Sequence, residues 1–178
     1  MAFRFLAPEL VRWDELVARR AGAPDTPVPE LLALPVFSDE RPLRGAAGIV
    51  DWRLCGRLSR LLIDGHVQAT LGEATLYPGR LLPFGKLLVF GMGPAKEFGD
   101  ARFRRVARDL VRAVDKLAVK RWAIPLPGRA SGRIAARAAL DLWLDEVGAP
   151  PDQCELWLVE TPSAQKDLAE ALGKRLAP

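Results

Sequence analysis

Residues 31–62 read LLALPVFSDERPLRGAAGIVDWRLCGRLSRLL, and the stretch divides into pieces of different physical character. Leu31 to Phe37 is too short and too continuously apolar for a surface helix, so it predicts a buried strand. Ser38-Asp39-Glu40 is polar turn material. A helix is expected from about Gly48, because Ile49, Trp52, Leu54, Cys55, Leu58, Leu61 and Leu62 recur at three- and four-residue spacings, with Arg53, Arg57 and Arg60 opposite them. A buried strand feeding an amphipathic helix points to a layered α/β protein.

Working outward toward the N-terminus, Phe3 to Ala7 suggests a short first strand closed by Pro8, and a helix is expected over Leu10 to Arg20. Gly22 to Pro29 holds three prolines and reads as a stiff connector within one domain. Pro35 implies a bulge, or an N–H position turned away from any partner strand. Toward the C-terminus, Glu73–Tyr77 and Lys86–Phe90 are strand candidates joined by a Pro/Gly-rich loop, which fits an antiparallel pair. Asp100 is the expected N-cap of a helix whose stripe is Phe103, Val106, Ala107, Leu110, Val111, Val114, Leu117 and Ala118. A fifth strand over Arg121–Leu126, a helix capped by Ser131 and running to Val147, a sixth strand over Glu155–Glu160 and a helix over Ser163–Leu176 complete the chain. Strands alternating with helices in this half predict parallel crossovers, so the sheet should be mixed but mostly parallel, with about six strands.

The chain has 178 residues, a length suited to one domain spanning 1–178. Cys55 and Cys154 lack metal-type spacing and read as packed thiols in a reducing compartment. Pro and charges interrupt every apolar run before the ~20 residues a membrane span needs, and no signal peptide is evident, so a cytoplasmic location is expected. The net charge of +4 and pI near 9.4 raise nucleic acid as a partner. The excess is small, however, and is interleaved with 22 acidic residues.

No cofactor or metal is called for by any motif. His66 is the only histidine, which excludes a multi-histidine site; it stands at the polar exit of a helix. Gly45 and Gly48 at a helix start, and Gly91 and Gly93 after a strand, are candidate anion-binding positions, although such glycines more often serve tight turns or close packing. Arg104, Arg108, Arg112 and Lys116 step along one helix face and are the candidate nucleic-acid contacts. With Asp109 and Asp115 on the same helix, a solvated face is the preferred reading. Trp143, one position around from Leu142, is the candidate interface anchor, on the expectation that Ile134, Ala135, Ala138, Ala139 and Leu142 pack the sheet.

At residues 32–62, then Gly65-His66, Leu71-Gly72-Glu73 and KLLVFGMGPAKEF over 86–98, the chain resembles the N-terminal domain of the leucyl aminopeptidase family, the M17 metallopeptidases. The resemblance implies a macro-domain-like three-layer α/β/α fold. It also implies that the metal ions and catalytic groups belong to a different, C-terminal domain with the signature N-T-D-A-E-G-R, which a chain without asparagine cannot contain. The expectation is therefore a stand-alone, non-catalytic module with a protein partner or self-association. The alternatives are a macro-domain-type binder or hydrolase of ADP-ribose-like nucleotides, and a basic nucleic-acid-binding module. The phosphate loop and base-contacting Asp of true macro domains find no clear counterpart in the sequence.

Overall fold

A computed structural model describes residues 3–22, 27–79 and 81–176. The connector at 23–26 lies outside them. Six strands, β1 (Phe3–Leu6), β2 (Leu31–Val36), β3 (Ala74–Pro78), β4 (Lys86–Gly91), β5 (Arg121–Ile124) and β6 (Glu155–Val159), form one sheet in the order β1-β6-β5-β2-β4-β3. Every neighbouring pair is parallel except β3 with β4, which is antiparallel as the hairpin-like spacing predicts. Strand alternation divides the apolar side chains between two cores. Leu31, Ala33, Leu88, Phe90, Trp122, Ile124, Leu156 and Leu158 face one side, and Leu32, Leu34, Val36, Leu87, Val89, Ala123, Trp157 and Val159 the other.

The first core is covered by α4 (Asp100–Asp115), α5 (Ala136–Val147) and α6 (Pro162–Arg175). The second is covered by α1 (Leu10–Gly22), α2 (Gly45–Arg53) and α3 (Arg57–Ile63). The result is a three-layer α/β/α domain. Among the described residues no helix is long and apolar enough to cross a membrane.

Pro35 interrupts nothing. Val36 O accepts from Met92 N, so by alternation the Pro35 nitrogen faces β5, whose pairing with β2 stops at Leu32. The register with β4 runs without a bulge from Leu31 to Val36.

Several expectations are corrected. The single helix expected from Gly48 begins at Gly45 and breaks at Leu54–Gly56, where Cys55 and Gly56 both take positive φ, 53° and 75°. The break turns Cys55 and Trp52 outward, so neither packs in the core; Trp52 is 69% exposed. The N-cap of α4 is Gly99, and Asp100 is its first residue, where its charge still favours the helix dipole. Ser131 caps no helix: α5 starts five residues later, and the Ser131 hydroxyl donates to Glu40 at 2.8 Å. The face of α5 is also rotated from the expected one, burying Ala139, Leu140, Trp143 and Leu144 while Ala135 and Ala138 stay exposed. Trp143 is thus core, 1% exposed, with its ring centroid 6.2 Å from that of Trp122, and it cannot anchor an interface.

Candidate functional site at the strand C-termini

In an open, mostly parallel sheet a ligand crevice forms beyond the carboxyl ends of the strands, where loops to the helices diverge. Here that place lies beyond β2, β4 and β5, and internal contacts draw the loops together. Ser38 N donates to Gly93 O at 3.0 Å, and Ala95 N donates to Asp39 Oδ1 at 2.8 Å, pinning the loop after β2 to the loop after β4. The Glu40 carboxylate takes the Ser131 hydroxyl, closing the same loop onto the one after β5.

Phe98 packs the loop after β4 against the neighbouring loops. Its ring stands edge-on to Phe37 at 5.2 Å and packs over Gly128 so closely that a Cβ there would sit 2.4 Å from the ring. Gly45 is held similarly: φ is +54° and an added Cβ would lie 2.7 Å from the Ala130 methyl. Arg129 Nε donates to Glu160 Oε2 at 2.6 Å while its Nη1 donates to Ile134 O, and the second Glu160 oxygen accepts from Thr161 N. Glu160 is 7% exposed, so this ion pair is sheltered, and both carboxylate oxygens accept a hydrogen bond. The Arg133 guanidinium lies 5.6 Å over the Phe37 ring at the mouth. Between the loops lies a cavity of about 20 Å³, lined by Pro35, Leu43, Ala47, Met92, Leu126 and Ser131 among others. That is room for about one water molecule.

Of the four candidate anion-binding glycines, three spend their N–H groups inside the fold. Gly48 N donates to Arg44 O, Gly91 N to Glu73 O and Gly93 N to Ala69 O. Gly91 exists for close packing, since a Cβ would fall 2.0 Å from Thr70 O. Gly45 alone opens a helix at the crevice rim.

The basic strip on α4 is engaged with acids. Arg104 faces Asp145 and Glu146, Arg108 donates to Glu146 at 2.7 Å, and Arg112 lies 3.6 Å from Asp109. Arg104 and Arg108 therefore fasten α4 to α5. Lys116 is exposed just after α4. His66 is exposed beyond α3, and Cys154 is half-buried.

The aminopeptidase resemblance assigns the metal ions to a different domain, and the described residues here do not fit a metal: no three of His, Cys, Asp and Glu converge among them. Asp14 is bonded to Arg53, Asp39 to Ala95 N, and Asp51 to Ser59 N and Oγ. Sequence reasoning missed the Arg129–Glu160 pair and the close approach of Phe98 to Gly128. The available signals were a Pro/Gly-rich loop carrying Arg129 straight after an apolar strand, and Glu160 as a lone acid ending another.

The topology and the strand-end crevice together define the macrodomain class of α/β fold. The macrodomain of Thermus aquaticus DarG superposes with a TM-score of 0.60 at 18% identity, covering 89% of this chain and 97% of that one. A Trypanosoma brucei macrodomain in complex with ADP gives 0.64 at 14% identity, covering 82% and 64%. Tomato leucine aminopeptidase gives 0.59 at 13% identity, covering 96% of this chain and 35% of that enzyme.

Residues 33–144 match the N-terminal domain of the cytosol aminopeptidase family, and the chain belongs to that family. A protein described as a probable cytosol aminopeptidase from Gloeothece citriformis is 31% identical over 99 residues, 55% of this chain and 20% of the relative. Its counterpart in Xanthomonas axonopodis pv. citri is 34% identical over 100 residues, 54% and 20%. The chain thus spans about a fifth of the length of the curated relatives it matches.

Proposed function

We propose that this domain is a non-catalytic protein-binding or assembly module of the cytosol aminopeptidase family, working in the cytoplasm as the name of its relatives suggests. The observation that carries the reading is the narrow crevice. Where this fold would admit a ligand, the cavity bounded by Glu40 and Ser131, which are hydrogen-bonded to each other, measures about 20 Å³, far below the ~300 Å³ of ordinary ligand pockets. The scattered, internally bonded acids support the non-catalytic part, since two-metal peptide hydrolysis needs converging carboxylates and an activated water.

The test has two arms. Purified protein with zinc or manganese should release no leucine from a leucyl anilide, and calorimetric titration with ADP-ribose should give no saturable heat. Metal-dependent turnover would remove the non-catalytic reading. Saturable ADP-ribose binding that is lost when Gly45 is replaced by Val would favour the second reading, a nucleotide binder. That alternative is supported by macrodomain neighbours whose structures hold ADP. Nucleic acid ranks below both, because the strongest basic strip is paired with acids of α4 and α5.

A further inference from the structure

Among the described residues β3 is an edge strand, hydrogen-bonded only to β4. Glu73 O accepts from Gly91 N and Gly79 N donates to Gly85 O, so the odd positions of this strand point at β4. By alternation, Ala74 and Leu76 present N–H and C=O groups outward, and Pro78 presents C=O alone. This is an unfilled template for a further strand. On the α3 side of the same edge lies an apolar groove of about 510 Å³, formed by Leu54, Arg57, Leu61, Tyr77, Pro78 and Leu81 with two deeper leucines. Leu81 is 60% exposed and Leu76, on the opposite face of β3, is 45% exposed.

The exposed charge at this edge is mainly positive. Arg57 is exposed and makes no ion pair among the described residues, and Lys86 is exposed directly across from Pro78. Of the nearby acids, Glu73 is held by its own loop, accepting from Gln68 N, Thr70 N and Thr70 Oγ1, and Asp51 accepts from Ser59. Asp64 follows the far end of α3, about 10 Å from Arg57 along the helix axis. Tyr77 keeps its proton, because burial and the Glu73 carboxylate raise its pKa against the pull of Arg57. The groove therefore offers donors and the positive charges of Arg57 and Lys86, with Glu73, held by its own loop, the carboxylate that acts on Tyr77.

We propose that the β3 edge takes an extended, acidic-apolar peptide segment of another protein, which adds to the sheet with alternate apolar side chains in the groove and a carboxylate on Arg57. Strand addition of this kind draws affinity from main-chain bonds and selectivity from side-chain pockets. A second copy of the domain is disfavoured, since pairing two β3 edges brings the two Arg57 charges to one junction. The inference rests on the reading of the domain as a protein-binding module and names its surface.

The experiment is fluorescence anisotropy with a short labelled peptide alternating valine and glutamate, against a valine–lysine counterpart. The expected result is saturable binding with at least about tenfold preference for the glutamate peptide. Arg57→Glu, at an exposed position, should reverse the preference, and Leu76→Pro, which removes an outward donor, should weaken binding about tenfold with the circular dichroism spectrum retained. Arg57→Glu decides the matter if Leu76→Pro unfolds. Equal affinity for both peptides, no saturation, or a preference indifferent to Arg57→Glu overturns the proposal. So does a concentration-dependent dimer, seen by sedimentation, that Leu76→Pro abolishes. A partner protein whose binding survives both substitutions would remove this surface while leaving the broader protein-binding reading in place.

Discussion

Trp143 lies between α5 and the sheet with its ring against Trp122. Truncation to Ala should cost about 3–5 kcal/mol by cavity formation, read as a lower urea midpoint, while Trp143→Phe should lose less. Sedimentation of whatever remains folded should be unchanged, because the side chain never reaches the surface. The sequence left Trp143 ambiguous because residues 136–147, ARAALDLWLDEV, carry apolar residues on two overlapping stripes, and periodicity alone does not choose between them. Tyr77 supports a second residue-scale prediction. It is the only tyrosine, so phenolate absorbance reports it alone. Its folded pKa is raised above 10.0, chiefly by burial and then by Glu73. The neutral phenol is thus favoured by the fold, its contribution to stability is complete below the unfolded value of about 10, and it is lost as pH rises through the higher folded value. Arg57→Glu should move the titration further upward, which checks that the guanidinium sits beside the ring.

Among the elements, α4 was the most legible. Phe103, Val106, Ala107, Leu110 and Val114 are buried on a single stripe with acids and arginines around the rest, and only one register satisfies that pattern. Leu110→Ala should cost about 2–5 kcal/mol, measured by denaturant unfolding. The α2–α3 pair was legible as helix but not as two helices, because apolar spacing continues straight through the break at Leu54–Gly56. The signal was local: Gly56 adopts φ +75° with open space around it. Gly56→Ala should therefore cost about 1–2 kcal/mol from backbone conformation alone. The same break exposes Cys55 while Cys154 is half-buried. In the native protein one thiol should react rapidly with a disulfide reagent and the other slowly, with Cys55→Ser removing the fast phase. The start of α5 was misplaced because Ser131 has the chemistry of a cap but spends its hydroxyl on Glu40, 91 residues away in sequence. Side-chain bonds across loops of this separation leave no periodic trace.

For the molecule as a whole, alternating strands and helices predicted a mixed, mostly parallel sheet, the spacing of two strands predicted the antiparallel β3–β4 pair, and the aminopeptidase resemblance implied three layers; all are present. The closed crevice was not legible, since it is assembled from four loops whose contacts are all long-range. Its firmest tie is Arg129–Glu160, which joins the loop after β5 to the end of β6. Arg129→Leu should cost about 3–5 kcal/mol by stranding a buried carboxylate, whereas combining it with Glu160→Leu should recover most of the loss; thermal melts of the two variants make the comparison.

The strand order also sets a sequence of events. Among the described residues β1 is held only by β6, with Phe3 opposite Leu156 and Leu6 opposite Val159, yet of the six strands of this sheet β1 leaves the ribosome first and β6 last. The earliest apolar strand therefore stays unpaired until translation has passed Val159, available to chaperones for nearly the whole of the domain's synthesis. A nascent chain stalled before that point would have its central strands in hand and its first one still without a neighbour.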